Sequence, residues 1–177
     1  MKNDFTSAIK LFLEIMGVTL MVLIIIGFFN TPFENNKPTL LSQELLLERE
    51  YVETMQPAIE NFSEQIVTLE ETNKLSQSGK IVPLKVSQIY SNIFSEMQED
   101  YKELSYLEVP ERFQQFHTSF LKCMELKGAS INELLTYLTD SETSHLSTIE
   151  KYNSSFKTKY SNAITIFNRL LNEKKLR

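Results

Sequence analysis

Side chains able to move protons, ligate metals or attack carbon are scarce in this chain. It holds two histidines, His117 and His145, and one cysteine, Cys123. His117 shares a helical stripe with Phe113, Phe120 and Met124, while Glu111, Arg112 and Lys122 lie too far round the same helix to complete a ligand set with it. A histidine so placed reads as a hydrogen-bonded core residue. His145 falls in the first turn of the last helix and reads as solvated. HExxH is absent, as are Glu-x-x-His pairs on two helices and any cysteine cluster, so zinc and di-iron chemistry lack their donors. Cys123 lies mid-helix, away from the helix N-terminus or neighbouring base that lowers a thiol pKa, and reads as a half-buried structural thiol. Serine and threonine have no GxSxG elbow. Gly79 and Gly128 stand alone and the other two glycines, Gly17 and Gly27, sit in an apolar run, which leaves no phosphate-cradling loop. Gly128-Ala129-Ser130, mid-helix, suits close packing of a neighbouring helix better than a ligand. No catalytic residue, metal or cofactor is expected.

Contact residues are the remaining candidates. Most of the 12 Phe and 7 Tyr fall on helical stripes and so belong to a core. Tyr51, Tyr106 and Tyr137 lie off those stripes or at their edges and are the expected exposed contacts with a protein partner. Charge is uneven. Residues 30–140 carry 9 basic and 18 acidic groups, whereas residues 141–177 carry 7 basic and 3 acidic and end in Lys174-Lys175-Leu176-Arg177. Lys174, Lys175 and Arg177 are therefore candidates for contact with an anionic surface. The simpler reading is a basic helix that packs beside acidic neighbours and complements its own C-terminal dipole. Nucleic acid is not expected, because the whole chain has a net charge of −5 and its basic residues are not densely clustered.

The elements that position these residues are helices. Leu41, Leu45, Val52, Met55, Ile59, Phe62, Ile66 and Leu69 recur at steps of three and four, with Glu48 in the one broken slot. A second stripe runs Val86, Tyr90, Ile93, Met97, Tyr101, Leu104. The third runs Phe113, His117, Phe120, Met124, Ile131, Leu134, Leu138, with Lys127 in the skipped position. The fourth runs Ile149, Tyr152, Phe156, Tyr160, Ala163, Phe167, Leu170. No comparable run alternates with period two. Gln77-Ser78-Gly79-Lys80 separates the first two helices, Pro83 and Pro110 suit helix starts, and Thr139-Asp140-Ser141 can cap the last. These signals predict helices over 39–75, 82–106, 110–138 and 141–174, the first kinked at Pro57. Short connections make neighbours antiparallel, which gives an all-α, up-and-down bundle of four helices, or three with a projecting first helix.

Upstream, residues 11–29 read LFLEIMGVTLMVLIIIGFF, nineteen residues with the single charge Glu14. At about 1.5 Å per residue they cover roughly 28 Å, near the thickness of a bilayer core. A cleaved signal peptide is the alternative, but no small-x-small pair follows the run and no cysteine stands there for a lipid. The expected organisation is a cytoplasmic N-terminus over 1–10, a transmembrane anchor over 11–29, a linker over 30–38 and a bundle over 39–177. Lys2 and Lys10 precede the run, against Lys37 alone before Arg49, so the positive-inside bias puts the bundle outside the cytoplasm.

Residues 109–138, VPERFQQFHTSFLKCMELKGASINELLTYL, resemble a pattern in small uncharacterised membrane-anchored surface proteins of Gram-positive-type bacteria. In that pattern a proline opens a long amphipathic helix and a histidine follows about seven residues on, here Pro110 and His117. The resemblance implies an anchored helical bundle and no activity. The expected function is a non-enzymatic, single-pass membrane protein that binds or organises a protein partner at the cell envelope. A ligand-sensing bundle that signals through a partner, and a self-associating coiled-coil spacer, are the alternatives.

Overall fold

The computed structural model describes residues 40–175, with side chains over 43–173. The expected anchor over 11–29, the linker over 30–38 and Arg177 lie outside the described residues, as do the side chains of Lys174 and Lys175. Among the described residues no helix is long and apolar enough to cross a membrane.

The chain is all-helical, with four packed helices and no strand among the described residues. Helix α1 spans Leu40–Gln77, α2 Pro83–Ser105, α3 Gln114–Asp140 and α4 Ser144–Lys175, and a 3-10 turn over Glu111–Phe113 leads into α3. Local chemistry accounts for most boundaries. Gly79, at φ +68°, ends α1, and the Gly79 and Lys80 N–H groups reach back to the Ser76 and Leu75 carbonyls in the pattern of a Schellman cap. Pro83 opens α2, where its missing N–H costs nothing. Ser141 ends α3 in the left-handed region, at φ 62°. Asp140 then accepts the Glu142 N–H at 2.9 Å and shapes the turn into α4. Pro57 lies inside α1, and the helix continues through it.

Pairings between helices show the topology. Asn61 meets Asp100 and Leu69 meets Tyr90, so α1 and α2 run antiparallel. Tyr101 meets Glu125 and Phe94 meets Gly128 across α2 and α3, and Glu133 meets His145 while Phe116 meets Phe167 across α3 and α4, again in opposite senses. Phe62 of α1 touches Phe120 of α3 and Phe156 of α4, at ring-centroid distances of 5.5 and 6.0 Å, which closes the bundle across its middle. One end holds the start of α1, the α2–α3 connection and the end of α4. The other holds the α1–α2 and α3–α4 turns.

The core is aromatic. Phe62, Phe116, Phe120 and Phe167 are fully buried, and Phe116 and Phe167 approach to 4.5 Å between centroids. The buried arc of α3 is wider than its sequence stripe, because Phe116, Cys123 and Ser130 form a second buried row one step round the helix. Helix α3 touches all three others, so more of its circumference is covered. The two breaks in the stripes are charged side chains drawn inward. Glu48 is buried and its carboxylate lies 3.5 Å from the Arg112 guanidinium, which also donates to the Leu170 carbonyl. Lys127 is half-buried against α4. Leu45, expected on the core stripe, is exposed. It precedes Glu48 by almost one turn, at the end of α1 beyond the buried aromatic layers.

Candidate functional site

Tyr51 corrects the sequence reading. It is 2 % exposed and packs against Phe113 and His117, so it is no surface contact. Its hydroxyl lies 3.0 Å from His117 Nδ1. With the ring proton on Nε2, Nδ1 is free to accept from the Tyr51 hydroxyl. Burial lowers the His117 pKa, against the Leu104 carbonyl, which raises it. Burial also raises the Tyr51 pKa. The expectation of a hydrogen-bonded core histidine agrees with this geometry, and the partner that completes it is the tyrosine assigned to the surface.

Cys123 is fully buried, not half-buried, and burial pushes its thiol up to about 11. At neutral pH it is a thiol without nucleophilic character. His145 is also not simply solvated. From the first turn of α4 it places Nδ1 2.6 Å from Glu133 Oε2 and Nε2 3.1 Å from Asp140 Oδ2, both on α3. The Glu133 contact, followed by Asp140, raises its pKa. Donor atoms of Asp140, Glu142 and His145 lie within 4.8 Å of one another. With both ring nitrogens already facing carboxylates, the arrangement is that of an imidazolium clamp across the α3–α4 turn.

Lys127 and Ser130 of α3 converge on Asn153 Oδ1, at 3.3 and 3.0 Å. The Lys127 ammonium lies 5.4 Å from the centre of the Phe156 ring, and desolvation lowers its pKa while Glu70 opposes the shift. This is a polar seam in the α3–α4 interface, satisfied from within.

On the other face of α3, Phe94, Met97 and Tyr101 of α2 and Met124, Gly128 and Ala129 of α3 line an open groove of about 530 Å³. Gly128 faces the Phe94 ring, and a Cβ added there would stand 3.4 Å from it, at ordinary contact distance. At the rim, Tyr101 donates to Glu125 at 2.9 Å. Lys122 and then Tyr101 hold the Glu125 carboxyl below its ordinary range. Gln98 and Asn132 complete the lining, and the groove is open to solvent rather than enclosed.

Tyr106 is 81 % exposed, as its position off the stripes led us to expect, and Tyr137 is half-buried. The exposed large apolar side chains concentrate within about two turns of a helix end. Leu45, Leu46 and Tyr106 lie at the end where α1 begins, and Leu75, Val82, Leu84 and Leu146 at the other, with Val67 alone in mid-helix. The stripes could not reveal these residues, because periodicity reports what a helix buries and not what its ends expose. No match was found to protein-family models, to curated proteins or to solved structures.

Proposed function

We propose that the chain is a non-enzymatic, membrane-anchored helical bundle that binds or organises a protein partner at the cell envelope. In this reading residues 11–29 form the anchor, the N-terminus is cytoplasmic and the bundle is extracytoplasmic. The observation that carries the binding role is the placement of exposed apolar side chains at the helix ends, around a core whose polar groups are used in holding helices together. Leu45, Leu46 and Tyr106 stand at the end where the chain leaves the linker, which suits a partner held in or near the same membrane. Tyr137 belongs to this reading only as a secondary contact, and Lys174, Lys175 and Arg177 as contacts with anionic groups.

The test combines topology with contact. In intact cells, protease should remove a C-terminal tag while a cytoplasmic control survives. A photo-crosslinking residue at Tyr106 should trap one protein of defined mass, and the same residue at Val67 should not. Protection of the tag until lysis would refute the orientation. Equal or absent crosslinking at the two positions would refute the partner site.

The groove beneath Gly128 favours a second reading, a ligand-sensing bundle. Small apolar molecules with a hydrogen-bonding group would then raise the melting temperature, and Gly128→Leu would abolish the effect by filling the groove. A flat response to such molecules would count against sensing.

A further inference from the structure

Residues 72–95 contain no carboxylate, in a chain with a net charge of −5. Within this stretch Lys74, Lys80 and Lys85 are all exposed and surround the α1–α2 turn. The same turn exposes Leu75, Val82 (64 %) and Leu84 (71 %). Two placements work against the stability of the fold. Lys85 lies in the first turn of α2, where the helix dipole disfavours a positive charge. Leu84 and Val82 hold large apolar side chains in water. Meanwhile the turn itself is well fixed. The Leu75 carbonyl accepts from Lys80 at 2.9 Å, Val82 accepts from Lys85 and Val86, and just below the tip Tyr90 donates to the Leu69 carbonyl at 3.1 Å. The tip thus presents its side chains from a braced support.

We infer that the α1–α2 hairpin tip docks on an anionic lipid surface, with Leu75, Val82 and Leu84 entering the headgroup region and Lys74, Lys80 and Lys85 pairing with lipid phosphates. Apolar side chains at a convex tip, flanked by long cationic ones that can snorkel, match the depth profile of a bilayer interface. A convex tip suits a deformable surface better than a shaped protein partner. The acidic groups nearest the tip are the exposed Glu70 and Glu71, one turn back along α1, and those of the other turn, where Asp140 and Glu133 face His145 and the Asp140 carboxylate also holds the Glu142 N–H. Past Glu71 the α1–α2 hairpin tip itself carries only basic charges, Lys74, Lys80 and Lys85. This assignment goes beyond the anchor and the partner contact, and stands whether or not residues 11–29 span a membrane.

The test uses the full-length chain with Val82→Cys carrying an environment-sensitive fluorophore. Cys123 is fully buried with its thiol pushed up to about 11, so it stays unlabelled. The protein is reconstituted with phosphatidylcholine vesicles, then mixed with vesicles containing a quarter phosphatidylglycerol. The Val82 probe should shift to the blue and brighten only with the anionic vesicles, and raised salt should reverse the change. A probe at Tyr106→Cys, at the opposite end, should not respond. Replacing Lys74, Lys80 and Lys85 together by Gln should weaken the response about 100-fold, and replacing them by Arg should preserve it. An equal response to neutral vesicles, no response to either, or an unchanged response in the Gln variant would overturn the inference. So would a response to polyglutamate without one to lipid, which would point to an acidic protein instead. If the chain fails to associate with the first, neutral vesicles, the anchor reading fails while the Val82 signal still reports on the tip.

Discussion

Replacing Tyr51 by Phe removes one oxygen atom from a fully packed site and leaves the shape of the ring in place. The Tyr51 hydroxyl is 3.0 Å from His117 Nδ1 inside the core, where Phe113 packs on the tyrosine ring, so the variant strands a buried ring nitrogen. Such a group costs about 1–3 kcal/mol, more than the about 1 kcal/mol that a hydrogen bond contributes on average, because water cannot reach it. For a unit of about 140 residues the unfolding entropy is roughly 0.3 kcal/mol per kelvin, so a loss of 2 kcal/mol lowers Tm by about 7 °C. Urea and thermal unfolding followed by far-UV circular dichroism would measure this. His117→Leu should cost a similar amount by stranding the Tyr51 hydroxyl. The double variant strands neither group, so it should be less destabilised than the sum of the single variants by about 1–3 kcal/mol. Strict additivity, or a Tyr51→Phe effect below about 0.5 kcal/mol, would refute the pairing.

The two histidines should give opposite pH dependences. His117 has its pKa lowered by burial, so its contribution is complete above the unfolded value of 6.5 and is lost as pH falls below it. His145 has its pKa raised by Glu133 and Asp140, so its contribution is complete below 6.5 and fades as pH rises through the folded value. Denaturant unfolding of His145→Gln against the parent should show a gap that narrows as pH rises above 6.5, and a constant gap would contradict the clamp. Ser141→Gly should stabilise the protein by about 0.5–1 kcal/mol, because a side chain at φ 62° is strained and glycine is not. Chemical denaturation would show it as a higher midpoint with an unchanged slope. Cys123 should resist thiol-specific reagents in the native protein and react at the ordinary rate once it is unfolded. Fast native labelling at neutral pH would mean that the thiol is exposed or activated, contrary to its burial.

Much of the architecture was legible because helix formation and helix burial are local and periodic. The expected starts at 82 and 39 lie within one residue of the observed ones, because Pro83 and the first stripe mark them directly. The start at 110 was read four residues early. Pro110 opens a 3-10 turn over Glu111–Phe113, and only at Gln114 does α-helical bonding begin. His117 was legible as a core residue, since its periodic neighbours Phe113, Phe120 and Met124 are apolar. The groove beside Gly128 was not, because its floor combines residues from α2 and α3 that lie about thirty positions apart.

The sequence alone determined that the described region is helical, where most of its helices begin and end to within a few residues, and much of what each buries, because a 3.6-residue repeat carries that information within a single segment. It also determined the basic, carboxylate-free stretch over 72–95. Only the tertiary structure decided what each inward-facing polar group meets. Glu48 and Lys127 read as interruptions until Arg112 and the Phe156 ring were placed opposite them. Tyr51 read as a surface residue until His117, 66 positions away, came within 3.0 Å. Such pairings depend on the rotation and offset of two helices about each other. Periodicity along one chain segment does not encode either quantity; the packing of side chains from all four helices does.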